Sequence, residues 1–172
     1  MIELELTYLA KSLPTNLKEC PSKKIIDLYV EGGSIHSSLR IRMSGDKYEL
    51  TRKSPVEKGD ASKQLETTIT LNHAEFKSLS NTKSRKVEKT RYFLEYEGRT
   101  AEFDVFEDGL GGLVVVDFEF ESENEKESFE MPDFCLAEVT QETFIAGGVL
   151  AGKDYSDIKG ELDRFDYISL QV

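Results

Sequence analysis

The segment SSLRIRM, residues 37–43, alternates apolar side chains with arginines. In an extended chain Leu39, Ile41 and Met43 share one face and Arg40 and Arg42 the other. The same alternation recurs with opposite sign in LVVVDFEFE (113–121), where Asp117 and Glu119 oppose Val114, Val116, Phe118 and Phe120. Like charges in line on one strand repel unless opposite charges or ligands lie across from them. That requirement constrains the fold more than any other feature of the chain. It extends to 47–53, where Glu49, Thr51 and Lys53 line up, and to 86–96, where Lys89 and Arg91 do. In 100–107, Glu102 and Asp104 oppose Ala101, Phe103 and Val105. The opening IELELTY (2–8) sets Glu3, Glu5 and Thr7 against Ile2, Leu4 and Leu6. Basic and acidic strands come from different hairpins. A barrel brings them face to face across a polar lumen, with the apolar faces packed outward under helices. The competing reading leaves every charge in solvent.

Further strands are expected at 24–30 (KIIDLYV) and 64–71 (QLETTITL). Turn residues separate the strands: Ser44-Gly45-Asp46, Glu97-Gly98-Arg99, and the glycine-rich 108–112 between 100–107 and 113–121. Helices are few. Asn72 with Glu75 opens one over 73–80, Ser122 with Glu125 one over 123–129, and Thr140 one over 141–151 that Gly147-Gly148 weakens. The tail is expected to add a helix near 157–166 and an extended end. Loop 54–63 is expected to be mobile. Many antiparallel strands with few helices indicate a mainly β (α+β) chain whose sheet closes into a barrel, with the short helices outside.

The 172 residues suit one domain, read as 1–151 with an acidic extension over 152–172 that packs on the barrel. A net charge of −11 argues against nucleic acid and anionic membranes as partners. No apolar run has the length of a membrane span, which leads to a cytoplasmic expectation; a homodimer is allowed. Cys20 and Cys135 are read as reduced thiols, and the isolated His36 and His73 do not assemble a histidine metal site or a Ser-His-Asp arrangement. Tyr92, Tyr96, Phe118 and Phe120 are read as wall packing.

A lumen with Arg and Lys on one side and carboxylates on the other has a chemical use. Guanidinium and ammonium groups hold phosphate oxygens. Carboxylates hold Mg²⁺ or Mn²⁺, hard ions that prefer oxygen and bridge to phosphates. Together they neutralise a polyphosphate and can activate water for phosphoryl transfer.

The chain resembles the CYTH superfamily, the triphosphate tunnel metalloenzymes, which include class IV adenylyl cyclases, thiamine triphosphatases and inorganic triphosphatases. The resemblance runs over residues 2–151. It is carried by LRIRMSGDKYELTRK (39–53), VEKTRY (87–92), AEFDVF with LGGLVVVDFEF (101–120), and PDF with EVT (132–140). It implies an eight-stranded antiparallel β-barrel enclosing a tunnel with a polar, charged lumen. Glu3 and Glu5 fall on the family's N-terminal E-x-E metal motif, and Asp117 and Glu119 on a second one. Asp104 matches an acidic position grouped with the metal ligands, with Glu102 near it. Arg40, Arg42, Lys53, Lys89 and Arg91 match the residues that bind triphosphate, and Glu5, Arg40, Arg42 and Lys53 are assigned to catalysis. The implied function is metal-dependent hydrolysis of inorganic triphosphate or another short triphosphate-bearing molecule, with Mg²⁺ or Mn²⁺.

Three departures stand out. The family motif E-x-E-x-K has Thr7 at its lysine, Thr68 replaces a second acidic residue after Glu66, and TFIAGG follows EVT where a basic-aromatic stretch is usual. A lost lysine–phosphate contact costs about 2–3 kcal/mol. The alternative reading is therefore a polyphosphate- or nucleotide-binding module with impaired catalysis.

Overall fold

The structure, a computed structural model, describes residues 1–32 and 38–171. His36 and the first residue of the expected strand 37–43 lie outside the described residues. Eight strands form the barrel: β1 (Ile2–Ala10), β2 (Ser22–Val30), β3 (Leu39–Ser44), β4 (Lys47–Pro55), β5 (Lys63–Leu71), β6 (Ser84–Tyr96), β7 (Arg99–Phe106) and β8 (Val114–Phe120). The order is β5-β4-β3-β2-β6-β7-β8-β1, and β1 pairs back onto β5 to close it. All pairings are antiparallel. The turns behave as their residues require. Gly45 (φ 59°) starts the β3–β4 turn, and Glu97 and Gly98 (φ 49° and 76°) both take the left-handed conformation between β6 and β7.

A ninth strand, β9 (Cys135–Glu138), was not expected. It pairs with the end of β1, on the same edge that β5 occupies nearer the N-terminus. Helices α1 (His73–Leu79) and α2 (Glu123–Glu127) start at the Asn72 and Ser122 caps. The expected helix over 141–151 is instead a 3₁₀ turn (Thr143–Ile145) followed by the single turn α3 (Gly147–Leu150). The tail helix α4 (Tyr155–Asp163) begins earlier than expected, at an Asp154–Asp157 capping box.

Two apolar clusters hold the barrel. One lies outside the β1–β8–β7 wall, where Leu4, Leu6, Phe103, Val116 and Phe118 pack against Phe129 and Phe134. The cover there combines the irregular stretch around Phe129 and Phe134 with Leu17 of the short 3₁₀ helix Leu17–Glu19. The second joins Leu9, Val87, Phe106 and Val115 to Phe144, Leu150, Ile158 and Leu162. Those four strand residues lie on the lumen-facing rows, so this cluster stoppers one end of the barrel, with α4 behind it. Tyr167 fastens the tail, donating to the Gly112 carbonyl and accepting from the Val114 amide. In the loop 54–63, expected to be mobile, the last residues before β5 make hydrogen bonds to the barrel and to Gln141. The Ala61 amide donates to Gln141, the Ser62 amide to Asp60, and the Glu5 amide to the Ser62 carbonyl. Cys135 is buried and Cys20 half-buried, both unpaired. Among the described residues no helix is long and apolar enough to cross a membrane.

Candidate functional site in the barrel lumen

Above the stopper the barrel encloses a cavity of about 680 Å³. All ten residues expected at the site, Glu3, Glu5, Arg40, Arg42, Lys53, Lys89, Arg91, Asp104, Asp117 and Glu119, line it. The alternation of each strand explains this: once the apolar face packs outward, the charged face has only the lumen.

The acidic wall is built by β1, β7 and β8. In register Glu5 lies opposite Glu119, Thr7 opposite Asp117, and Glu102 opposite Asp117. Directly opposed carboxylates destabilise a sheet unless a cation intervenes. Burial, then Glu102, Glu5 and Glu3, pushes the Glu119 pKa up. Burial, Glu5 and Asp104 push Asp117 up to about 8, although Arg91 contacts it. Burial wins there because Arg91 offers Asp117 a single bond of 3.1 Å. The other Asp117 oxygen accepts from the Thr7 hydroxyl at 2.8 Å.

The basic residues are not separated from carboxylates by the full width of the lumen, as the sorting by strand suggested. Adjacent strands pair them. Arg91 on β6 faces Asp104 on β7 and donates to both its oxygens at 2.6 Å, while also contacting Glu102 and Asp117. Lys89 contacts the same Asp104. Burial opposes charge on Asp104, but Arg91 and Lys89 hold its carboxyl below the usual carboxylate range. On the neighbouring strands β2 and β3, Arg42 donates to both oxygens of Asp27 at 2.6 and 2.7 Å. Asp27 is buried, and despite that burial Arg42 and Arg40 lower its pKa to about 2. Arg40 also lies 3.6 Å from Glu66 and 3.4 Å from the Tyr29 hydroxyl. Lys53 lies 2.5 Å from Glu3 and 3.5 Å from Glu66.

Among the described residues, Arg40 Nε is buried in this network without a hydrogen bond, with Asp27 4.0 Å away. Buried polar atoms without partners are rare in native proteins and call for a reason. Among the described residues no three His, Cys, Asp or Glu side chains already converge as a metal cage.

Sequence reasoning missed Asp27, Tyr29 and Lys23 as lumen residues. The signal was present: Asp27 is the lone acid in the apolar run of KIIDLYV, on the same alternation as Lys23 and Tyr29. It also left Glu66 as a single acid without a role; Glu66 accepts from Thr68 and sits beside Arg40 and Lys53.

The CYTH domain family model matches residues 1–141. The chain belongs to the CYTH domain family. A protein named inorganic triphosphatase from Nitrosomonas europaea is 33% identical over 144 residues, covering 83% of this chain and 91% of that protein. A solved structure of an inorganic triphosphatase superposes with a TM-score of 0.64 at 29% identity, over 88% of this chain and 95% of that one. A Pyrococcus horikoshii protein shares the fold, with a TM-score of 0.53 at 22% identity over 73% of this chain and 82% of its own. The CYTH barrel therefore stands on both the family match and the strand topology.

Proposed function

We propose that this CYTH protein hydrolyses inorganic triphosphate, or another short triphosphate-bearing molecule, inside the lumen with the help of a divalent cation. The observation that carries the reading is the opposed pair Glu5 and Glu119, beside Glu3, in a cavity shared with Arg40, Arg42, Lys53, Lys89 and Arg91. The similarity to a protein named inorganic triphosphatase supports it.

The donor chemistry fits Mg²⁺ or Mn²⁺. Glu3, Glu5 and Glu119 offer hard oxygens, Glu5 and Glu119 directly opposed in register, and Asp117 lies beside them. A bound divalent ion supplies charge neutralisation at phosphate oxygens and makes water a better nucleophile. Asp104 is left out of this ligand set, because its oxygens are taken by Arg91 and Lys89. Its part is to position those two cations. Arg40 has a spare buried Nε donor and suits a phosphate oxygen, as does Arg42 with its planar guanidinium fixed by Asp27. Lys53, between Glu3 and Glu66, balances charge where the acidic and basic walls meet. Together these groups hold a polyanion and favour charge built up on it as a phosphorus–oxygen bond breaks.

A second reading, binding without turnover, is favoured by one contact. The Thr7 hydroxyl occupies an oxygen of Asp117 where the family pattern has a lysine. Phosphate release from inorganic triphosphate, pyrophosphate and ATP, with Mg²⁺, Mn²⁺ or a chelator, decides between them. Hydrolysis of triphosphate above the other two, abolished by chelation, is the expected result. Tight binding with no release, and release gained in Thr7→Lys, supports the second reading.

A further inference from the structure

Lys23 was not among the expected site residues, yet it lines the cavity. It continues the lumen row of β2 that begins at the stopper with Tyr29 and runs through Asp27 and Ile25. Asp27 and Ile25 are each 1% exposed, whereas Lys23 is exposed, so Lys23 is the rim position of that row. At about 3.4 Å per residue the row rises roughly 20 Å from Tyr29 to Lys23. In register Lys23 lies directly opposite Arg91.

Its partners set it apart. The other five cations of the cavity, Arg40, Arg42, Lys53, Lys89 and Arg91, each have a carboxylate within 4.0 Å. Lys23 is the one cavity cation, among the described residues, with no such carboxylate. Its ammonium instead sits 5.1 Å from the centre of the Phe93 ring, which belongs to the lumen-side row of β6 above Arg91. Burial, and then Arg91, lower its pKa, against a partial opposing pull from Glu102. An incoming phosphate must compete with a carboxylate for every other cation. At Lys23 the carboxylates Glu102 and Glu49 act only from beyond ion-pair distance, so this contact is gained without breaking an ion pair.

Resting on the function proposed above, we propose that Lys23, steadied by Phe93, is the rim contact for the outer phosphate of a linear polyphosphate and sets the preference for triphosphate over diphosphate. A diphosphate held at the levels of Arg40, Arg42 and Lys89, which pair in register with Tyr29, Asp27 and Ile25, ends short of the rim; a longer anion reaches it. Lys23 also returns to the lumen one cation of the kind that Thr7 removes.

Thermal-shift titrations of the full chain with inorganic triphosphate and with pyrophosphate, in Mg²⁺, test this on wild type, Lys23→Gln and Lys23→Arg. Lys23→Gln is expected to weaken triphosphate about tenfold and pyrophosphate by less than about twofold, with Lys23→Arg restoring most of the loss. Equal triphosphate affinity in wild type and Lys23→Gln overturns the rim contact alone. Equal losses for both anions also overturn it, because a diffuse field, not a contact, would then be acting. Wild type that binds neither anion overturns the function proposed above and this inference with it.

Discussion

Arg91→Ala is expected to destabilise the protein by about 3–5 kcal/mol, the cost of leaving buried charge without its partner. Arg91 is 12% exposed at its side chain and contacts Asp104, Glu102 and Asp117, whose side chains are 1%, 16% and 10% exposed. Removing it leaves three carboxylates in a wall already short of positive charge. Lys89 still holds one oxygen of Asp104, but nothing described replaces the contacts to Glu102 and Asp117. Urea denaturation measures the loss directly. The contrast is the exposed Arg164, whose partners Glu142 and Glu161 are 31% and 47% exposed at their side chains. Arg164→Ala is expected to cost less than about 1 kcal/mol. A small effect at Arg91 would mean that its carboxylates are hydrated or neutralised in solution, against the packed lumen described here.

Asp27→Asn is the second large effect, again about 3–5 kcal/mol, because Asp27 is the buried counter-charge that fixes Arg42 and faces Arg40. Its pH signature separates it from a packing defect. Asp27 has a folded-state pKa lowered to about 2 from an ordinary value of 3.8. A depressed carboxylate stabilises fully above the unfolded value and loses that contribution as pH falls through the folded one. The stability difference between wild type and Asp27→Asn is therefore expected to be constant above about pH 5 and to shrink as pH falls from about 4 toward 2. A difference that persists unchanged into acid would show that the carboxylate charge is not what matters. The variant is also expected to bind phosphate less well, since Arg42 loses the two bonds that hold its plane.

Much of this was legible in the sequence because the lumen and the core use opposite faces of the same strands. LRIRM, IELELT and VVVDFEF each state both faces at once, and the turn residues Gly45 and Gly98 separate the strands cleanly. What was not legible depends on contacts between distant segments. β9 is only four residues long and exists because β1 leaves an edge open beyond β5. The turn at α3 is shaped by Tyr29, whose hydroxyl lies where a Cβ on Gly147 would be, 2.2 Å away. A capping threonine and a helical period cannot report that approach. The pairing of Arg42 with Asp27 follows from β2 and β3 being neighbours, which alternation alone does not say. The pairing of Asp104 has the same origin: adjacency of β6 and β7 brings Arg91 and Lys89 onto it.

The central claim is that the lumen cations grip a triphosphate whose hydrolysis depends on them, and Arg40→Ala tests it most directly. Arg40 lines the cavity, has a buried Nε donor without a hydrogen bond, and leaves Asp27 still paired with Arg42 when it is removed. Phosphate release from inorganic triphosphate with Mg²⁺ is predicted to fall about a hundredfold in Arg40→Ala, as expected for a lost charge-assisted contact in the transition state. Equal rates for wild type and Arg40→Ala would contradict the account.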